Sequence, residues 1–211
     1  MTQYGFYFDG TRCTGCKTCV LACKDRFDLP SEIANRQVIE YEGGSWERDA
    51  DDCWTTSSFT YYLSVACNHC DDPACTAACP VGAVHKDEET GLVLPNDDTC
   101  IGCGACAMAC PYGAPHVDGQ LGHMVKCTGC ADRVAEGRQP VCVEACPQRA
   151  LAFGEIKDLR AAYGDLAAIA PLPDPSQTGP NVVLTEPAGA EAWDAADGAI
   201  ANAAELVGIQ A

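Results

Sequence analysis

The chain has 211 residues, 17 cysteines and a formal net charge of −17 at pH 7, from 13 basic and 30 acidic side chains. This length fits one or two domains. The acidic balance lacks the basic footprint of a nucleic-acid-binding protein and disfavours direct attraction to anionic lipid. Aromatic residues make up only 7% of the chain, so we expect a thin hydrophobic core that metal–thiolate bonds help to hold together.

The sequence predicts neither a signal peptide nor a membrane span. Its first residues, MTQYGFYFDGTRC, lack a basic region followed by an apolar one. No run reaches the roughly 18 apolar residues that a membrane helix needs. If the protein works at a membrane, we expect another polypeptide to hold it there.

The first predicted element is a short strand at residues 5–8, which leads into motif I, formed by Cys13, Cys16, Cys19 and Cys23. This is the bacterial ferredoxin spacing, in which three thiolates hold one [4Fe–4S] cluster and the fourth reaches a second cluster. Lys24 stands where proline usually follows the fourth cysteine. The substitution leaves the ligand spacing intact.

Residues 24–66 form an insertion without a ligand motif. The segments QVIEYEGG and SSFTYYLSVA predict two strands because β-branched and aromatic residues alternate between Gly and acidic turns. Cys53 lies here without a partner at ligand spacing, so we interpret it as a free, small apolar residue and not as a ligand.

Motifs II and III follow, joined by a predicted hairpin. Motif II is Cys67, Cys70, Cys75 and Cys79, with four residues in its second gap, and motif III is Cys100, Cys103, Cys106 and Cys110. A proline follows the last cysteine of each motif. Between them, AVHK and GLVLP are short apolar runs on either side of a polar turn, a pattern typical of a hairpin.

Motif IV is Cys127, Cys130, Cys142 and Cys146, with eleven residues in its second gap that we expect to hold a helical turn or two. The Gly- and Pro-rich segment before it, PYGAPHVDGQLGHMVK, predicts irregular structure. ALAFGE after it predicts a closing strand. Farther on, LPDPSQTGPN is typical of an extended arm, and the last twenty residues are either a helix that docks on a partner or a loose tail.

Sixteen of the cysteines supply four ligands for each of four [4Fe–4S] clusters. Motifs II and III are joined as in a bacterial ferredoxin, so they should exchange their fourth ligands. Motif I has a leading strand and motif IV a trailing one, which predicts the same exchange between them. The predicted ligand sets are set 1 (Cys13, Cys16, Cys19, Cys146), set 2 (Cys67, Cys70, Cys75, Cys110), set 3 (Cys79, Cys100, Cys103, Cys106) and set 4 (Cys23, Cys127, Cys130, Cys142).

The predicted fold is α+β and loop-rich, with two ferredoxin-like modules related by pseudo-two-fold symmetry, one nested in the other. The outer module covers residues 1–30 and 120–160, the insertion 31–59, the inner module 60–119, and an acidic arm and tail 161–211. Pairing of consecutive motifs, I with II and III with IV, is the competing topology; short connections between neighbouring elements favour nesting. A disulfide framework is disfavoured because the cysteine count is odd. Four-cysteine zinc sites are an alternative, although they do not require triple-cysteine runs that end in Cys-Pro.

Several segments resemble the iron–sulfur subunits of bacterial dimethyl sulfoxide reductases. They include YGFYFDGTRCTGCKTCVLACKD, YYLSVACNHCDDPACTAACPVGAVHK, CIGCGACAMACPYGAP, GHMVKCTGCADRVAEG and YGDLAAIAPLP. The resemblance runs from about residue 3 to about residue 184 and includes all sixteen ligand positions.

The resemblance implies electron transfer between a quinol-oxidising membrane anchor and a molybdopterin catalytic subunit. The module of motifs I and IV would face the catalytic subunit, and the module of motifs II and III the anchor. It also implies a location at the membrane through these partners, by co-export with the catalytic subunit. A polysulfide, tetrathionate or formate enzyme of the same class, or a free polyferredoxin, is the alternative. We predict no catalytic residue, because no motif lacks a cysteine and so none leaves an iron open.

Four basic residues lie beside or within the motifs of this acidic chain: Lys17, Lys24, Lys126 and Arg133. One hypothesis is that they raise cluster potentials by offsetting thiolate charge; the alternative is that they are ordinary surface cations. His69 and His123 are expected to donate hydrogen bonds to sulfide or to fill structural roles, since the cysteine ligand set is complete.

Overall fold

The computed structural model describes residues 2–195 and 197–209. Its elements are short and joined by long loops, so the fold is loop-rich α+β as predicted. The helices are α1 (Thr18–Phe27), α2 (Ala74–Ala77), α3 (Ala105–Ala109), α4 (Ala131–Ala135), α5 (Val141–Ala145) and α6 (Ile156–Tyr163). In the described part of the chain no helix is long and apolar enough to cross a membrane.

A three-stranded sheet joins the beginning of the chain to its second half. Strand β1 (Tyr4–Asp9) pairs antiparallel with β10 (Leu151–Glu155) and parallel with β11 (Val182–Thr185). Both strands flanking β1 place partners opposite Phe6, namely Phe153 and Val182. Strands β1 and β10 are the leading strand of motif I and the trailing strand of motif IV, and helices α1 and α5 of the same motifs also pack together.

A second sheet forms from the insertion and the C-terminal segment. Strands β2 (Arg36–Gly43) and β5 (Phe59–Ala66) pair antiparallel over their full lengths, and β12 (Gly198–Ile200) adds to the free edge of β2. The two insertion strands are therefore confirmed. A small exposed ribbon of β3 (Trp46–Arg48) and β4 (Trp54–Thr56) projects between them.

Two hairpins flank motif III. The hairpin before it, β6 (Val84–Lys86) with β7 (Val93–Pro95), confirms the sequence prediction. The segment after it was predicted to be irregular, and that was wrong: β8 (His116–Asp118) pairs with β9 (His123–Val125). Asp118 closes this turn, because its Oδ1 accepts backbone N–H groups of Gln120 at 2.8 Å and Leu121 at 3.0 Å.

The C-terminal segment is neither a long helix nor a loose tail over its described residues. The predicted extended arm contains a 3₁₀ helix, Pro175–Gln177, and leads into β11. Beyond β12, the side chain of Asn202 makes hydrogen bonds to the backbone of β2, as a neighbouring strand would. Its amide oxygen accepts the Glu40 N–H at 2.8 Å, and its amide nitrogen donates to Val38 O at 2.9 Å. A second 3₁₀ helix, Ala203–Glu205, follows. Residues 196, 210 and 211 of the predicted tail lie outside the described residues.

Candidate metal centres

The four motifs share one backbone feature just before their second cysteine. There the residue has a positive φ, which places it in the left-handed region: Gly15 (67°), His69 (46°), Gly102 (65°) and Gly129 (66°). Alternating right- and left-handed residues form backbone nests whose N–H groups point into one concavity and bind anions, including iron–sulfur groups. His69 adopts this conformation without being glycine, which is a strained choice typical of functional sites.

Backbone N–H groups also point at the sulfur atoms. Cys79 and Cys146 each precede a proline, and each sulfur accepts the N–H of the residue four positions later: from Ala83 at 3.2 Å and from Ala150 at 3.3 Å. Such N–H···S bonds stabilise the anionic thiolate that iron requires. The local surroundings of these sulfurs therefore fit a thiolate-bound group.

The thiols of set 1 lie together. Burial raises the pKa of Cys13 to about 11, a Gly15 N–H lowers it, and the neighbouring thiols of Cys19, Cys146 and Cys16 raise it by repulsion. All four cysteines line one small cavity. The predicted set 1 is thus one spatial group, although Cys146 is more than a hundred residues away in sequence.

The thiols of set 4 form a second group. Burial raises the pKa of Cys23, the thiols of Cys127, Cys142 and Cys130 raise it further, and the cation of Arg36 opposes them. Every cysteine of this set is buried. Motif I therefore sends its fourth side chain toward motif IV.

Set 2 lines a third site. Burial raises the pKa of Cys70 to about 12; Thr178 lowers it, and the thiols of Cys67, Cys110 and Cys75 raise it. The same four cysteines line one small cavity. Cys110 of motif III thus lies with the first three cysteines of motif II.

Set 3 is the most open site. Burial raises the pKa of Cys106; nearby backbone groups lower it, and the thiols of Cys100 and Cys103 raise it. Cys79 and Cys100 pack against the same small core as Cys106. In addition, the N–H of Met124 donates to Cys100 Sγ at 3.3 Å, so the hairpin β8–β9 supports this site.

Neighbouring sets approach each other closely. Burial raises the pKa of Cys19 in set 1, Arg36 and Ser64 lower it, and Cys142 of set 4 raises it. Burial likewise raises the pKa of Cys127 in set 4 to about 12, with the next largest contribution from Cys67 of set 2. Set 4 therefore lies between set 1 and set 2.

Set 3 continues this row. Burial raises the pKa of Cys75 in set 2 to about 11, and Cys106 of set 3 is among the thiols that add to it. Among the sixteen cysteines of the sets, the exposed ones belong to the two ends of the row, with Cys16 in set 1 and Cys103 in set 3. The spatial order is 1–4–2–3, with both ends open to solvent.

The basic residues beside the motifs occupy different environments. Lys126 is buried and donates to Cys67 Sγ at 3.8 Å and to Cys127 O at 2.9 Å. Arg133 pairs with Glu144 at 2.5 Å. Lys24 donates to three loop carbonyls between residues 30 and 33, and Lys17 forms a surface ion pair with Glu205. Their effect on potentials stays a prediction.

Three other residues discussed in the sequence analysis, His69, His123 and Cys53, also have defined surroundings. His69 is fully buried; its Nδ1 accepts the Val93 N–H at 3.0 Å and burial lowers its pKa well below 6.5, so the ring is neutral. His123 lies 3.7 Å from Asp97. Cys53 is exposed, so the expectation that it packs as a small apolar residue was wrong.

The sequence analysis missed Arg36, the first residue of β2, whose guanidinium lies among thiols of sets 1 and 4. Within the described residues, no three His, Cys, Asp or Glu side chains converge on a single metal ion. A cubane differs from a single ion because each thiolate binds a separate iron corner. The sixteen cysteines, their N–H donors and the nest-like loops fit [4Fe–4S] clusters.

Comparison with known proteins agrees with this geometry. A 4Fe-4S dicluster domain model matches residues 58–156, and a 4Fe-4S binding domain model matches residues 11–26. The protein is 55% identical to the B subunit of anaerobic dimethyl sulfoxide reductase from Escherichia coli, over 97% of its own length and 99% of that subunit. It is 53% identical to the B subunit from Haemophilus influenzae, over 87% of its own length and 89% of that subunit.

A more distant relative is the thiosulfate reductase electron transfer subunit PhsB of Salmonella typhi, which is 36% identical over 74% of this protein and 78% of that one. The Escherichia coli relative matches almost end to end, and the matched range includes every cysteine of the four sets. The protein therefore belongs to the family of iron–sulfur B subunits of anaerobic dimethyl sulfoxide reductases.

Proposed function

We propose that this protein is the electron-transfer subunit of a dimethyl sulfoxide reductase-type complex in anaerobic respiration. It would relay electrons through four [4Fe–4S] clusters between a quinol-oxidising membrane anchor and a molybdopterin catalytic subunit. The observation that carries this proposal is the continuous row of four cysteine sets, buried in the middle and open at both ends. Such a row has the form of a conducting path between two surfaces.

The sixteen cysteines of sets 1 to 4 hold the clusters in this proposal. When bound, [4Fe–4S] clusters accept and release single electrons at potentials set by charge, hydrogen bonds to sulfur and solvent exposure. The chain supplies these influences through Lys126 beside set 2, the N–H donors to Cys79, Cys100 and Cys146, and the burial of set 4. No residue of the chain is assigned a catalytic role.

The nested pair of ferredoxin-like modules belongs to the same proposal. Pairing of β1 with β10 and packing of α1 on α5 support an outer module of residues 1–30 and 120–160. Packing of α2 on α3, together with the hairpin β6–β7, supports an inner module of residues 60–119. Residues 31–59 and 161–211 contribute β2 and β12 to the second sheet.

The two open ends support two different partners. We assign the catalytic subunit to the set 1 end and the membrane anchor to the set 3 end, which locates the protein peripherally at the membrane. An extracytoplasmic location would follow from export with the catalytic subunit. The names of the B-subunit relatives favour dimethyl sulfoxide as substrate class, whereas the thiosulfate reductase relative keeps other sulfur compounds as the alternative.

Anaerobic isolation of the tagged chain from its native host tests this function. We expect membrane-associated material with two partner subunits, four [4Fe–4S] clusters by iron analysis and electron paramagnetic resonance (EPR), and cluster reduction by a quinol. Reoxidation by dimethyl sulfoxide would identify the substrate class, with thiosulfate and polysulfide as comparison oxidants. Isolation as a lone soluble carrier with its clusters intact would contradict the proposal.

A further inference from the structure

Arg36 is a cation buried where no carboxylate offsets it. The residue is only 2% exposed, and among the described residues no Asp or Glu forms an ion pair with it. A guanidinium stays charged in proteins, so burial must be offset by an anion or by hydrogen bonds to all of its donors. The groups around Arg36 therefore indicate what offsets its buried charge.

The protein supplies hydrogen-bond acceptors for only one of the three guanidinium nitrogens, Nη1. Nη1 donates to Ser64 O at 3.2 Å and to Ser64 Oγ at 3.0 Å, and Cζ lies 4.6 Å from the centre of the Phe6 ring. Nε and Nη2 are buried without a hydrogen-bond partner in the described part of the chain. Two donors of a permanent cation are therefore available to a group that the protein chain does not supply.

Thiols from two ligand sets face this cation. Burial alone would lower the pKa of Arg36, but Cys142, Cys19, Cys127 and Cys23 raise it above its usual value. Cys19 belongs to set 1 and the other three to set 4. The link to set 1 is also direct, because Ser64 Oγ lies 3.3 Å from Cys19 Sγ and accepts from Arg36 at the same time.

Buried water is the competing explanation for the two free donors. Arg36 borders a small cavity, but apart from Ser64 and Asn68 the lining side chains are apolar, including Phe6, Leu63 and Val182. A buried water needs two to four polar partners, and this lining offers few. Water would also leave the charge of the guanidinium without a counter-ion.

We propose that Arg36 is the shared counter-ion of the two clusters held by sets 1 and 4, and that its Nε and Nη2 donate hydrogen bonds to their sulfur atoms. The inference rests on the proposed function, since it requires the clusters to be bound. A fixed positive charge stabilises the reduced, more negative state of each cluster. Arg36 therefore raises the reduction potentials of both clusters together. It is a positioning residue that acts through the clusters of sets 1 and 4, which form the half of the path nearest the set 1 end.

The test uses the whole complex, purified anaerobically, with an EPR-monitored redox titration of Arg36→Met. Signals are assigned with single-ligand variants of each set. We expect the reduction equilibrium constants of the clusters at sets 1 and 4 to fall about tenfold, which is 59 mV for a one-electron couple. The clusters at sets 2 and 3 serve as internal references and should keep their potentials. Arg138→Met is the matched control, since this exposed arginine lies in the module that carries sets 1 and 4 and pairs with Glu136.

If Arg36→Met fails to assemble its clusters, Arg36→Lys decides the question. Lysine keeps the charge, but its single ammonium cannot direct donors to both clusters, so at least one of the two potentials should fall. Unchanged potentials at both sets in a variant with all four clusters would overturn the inference while leaving the electron-transfer function intact. Failure of the wild-type complex to contain four clusters would instead count against the proposed function.

Discussion

Lys126 is a second buried cation, and it lies at the junction of two ligand sets. Its side chain is 3% exposed and donates to the carbonyl oxygens of Val93 and Cys127 as well as to Cys67 Sγ at 3.8 Å. Cys67 belongs to set 2, and Cys127 to set 4. Because the residue is buried, its charge is screened less than a surface charge would be.

We predict that Lys126→Met lowers the reduction potential of the cluster at set 2 by roughly 60 mV, a tenfold change in its reduction equilibrium constant. The physical reason is the loss of a buried positive charge in direct contact with a thiolate ligand. An EPR-monitored redox titration measures the shift. Lys157→Met is the control, because Lys157 is exposed on α6 and pairs with Glu155. A potential at set 2 that does not move would remove Lys126 from the residues that tune the path.

The two buried cations differ in how far the sequence predicts them. Lys126 directly precedes a ligand cysteine, so its position alone suggests proximity to a cluster. Arg36 lies in the insertion, thirteen residues after Cys23, and becomes a neighbour of sets 1 and 4 only because β2 pairs with β5 and brings Ser64 beside it. Long-range strand pairing of this kind leaves no local sequence signal.

At the scale of elements, two short helices orient the fourth cysteines of motifs III and IV. Cys106 lies inside α3, whereas Cys110 caps its C-terminus with extended backbone, and Cys146 caps α5 in the same way. The change from helical to extended backbone turns the last side chain away from the first three cysteines of its motif. The ferredoxin spacing predicts this exchange, and the structure places Cys110 among the thiols of set 2.

We predict that Cys110→Ala removes or converts the cluster at set 2 and leaves the cluster at set 3 in place. Cys106→Ala, on the same helix, should have the opposite effect and provides the matched control. Iron content and EPR of the purified complex distinguish the two outcomes. Loss of the set 3 cluster alone in Cys110→Ala would mean that motif III holds its own cluster and that the exchange does not occur.

The unpredicted strands β8, β9 and β12 are too short to carry an alternating pattern in the sequence. The strands β8 and β9 have three residues each and lie in a Gly- and Pro-rich segment, so their pairing depends on side chains such as Asp118 that close the turn. Strand β12 is equally short and forms because the edge of β2 is free to accept it. The longer alternating strands β2 and β5 carried their own signal in the sequence.

At the scale of the whole molecule, exposed apolar side chains lie near both ends of the row. Met108 (84% exposed) and Ile101 (61%) flank the exposed Cys103 of set 3, while Leu21 (66%) lies on α1 shortly after the exposed Cys16 of set 1. Large exposed apolar side chains beside the end sites, on a protein with net charge −17, support the two docking surfaces proposed above. Between the two ends lie set 4, which is buried, and set 2, which is buried except for the partly exposed Cys110.

We predict that Met108→Glu weakens association with the membrane subunit about tenfold or more, because a charge at the centre of an apolar interface has to be desolvated. Leu21→Glu should weaken association with the catalytic subunit to a similar extent. Each variant is the control for the other, since both add one carboxylate at a cluster-bearing surface. Co-purification from detergent-solubilised membranes measures both associations.

Activity assays with two different electron donors distinguish the effects of Met108→Glu and Leu21→Glu. Met108→Glu should lose quinol-dependent substrate reduction but keep reduction from a small artificial donor, because the path from this protein to the catalytic subunit stays intact. Leu21→Glu should lose both, since electrons then cannot leave the set 1 end. If instead each variant released both partners, the two ends would belong to one continuous interface, and a path that enters at set 3 and leaves at set 1 would no longer describe the molecule.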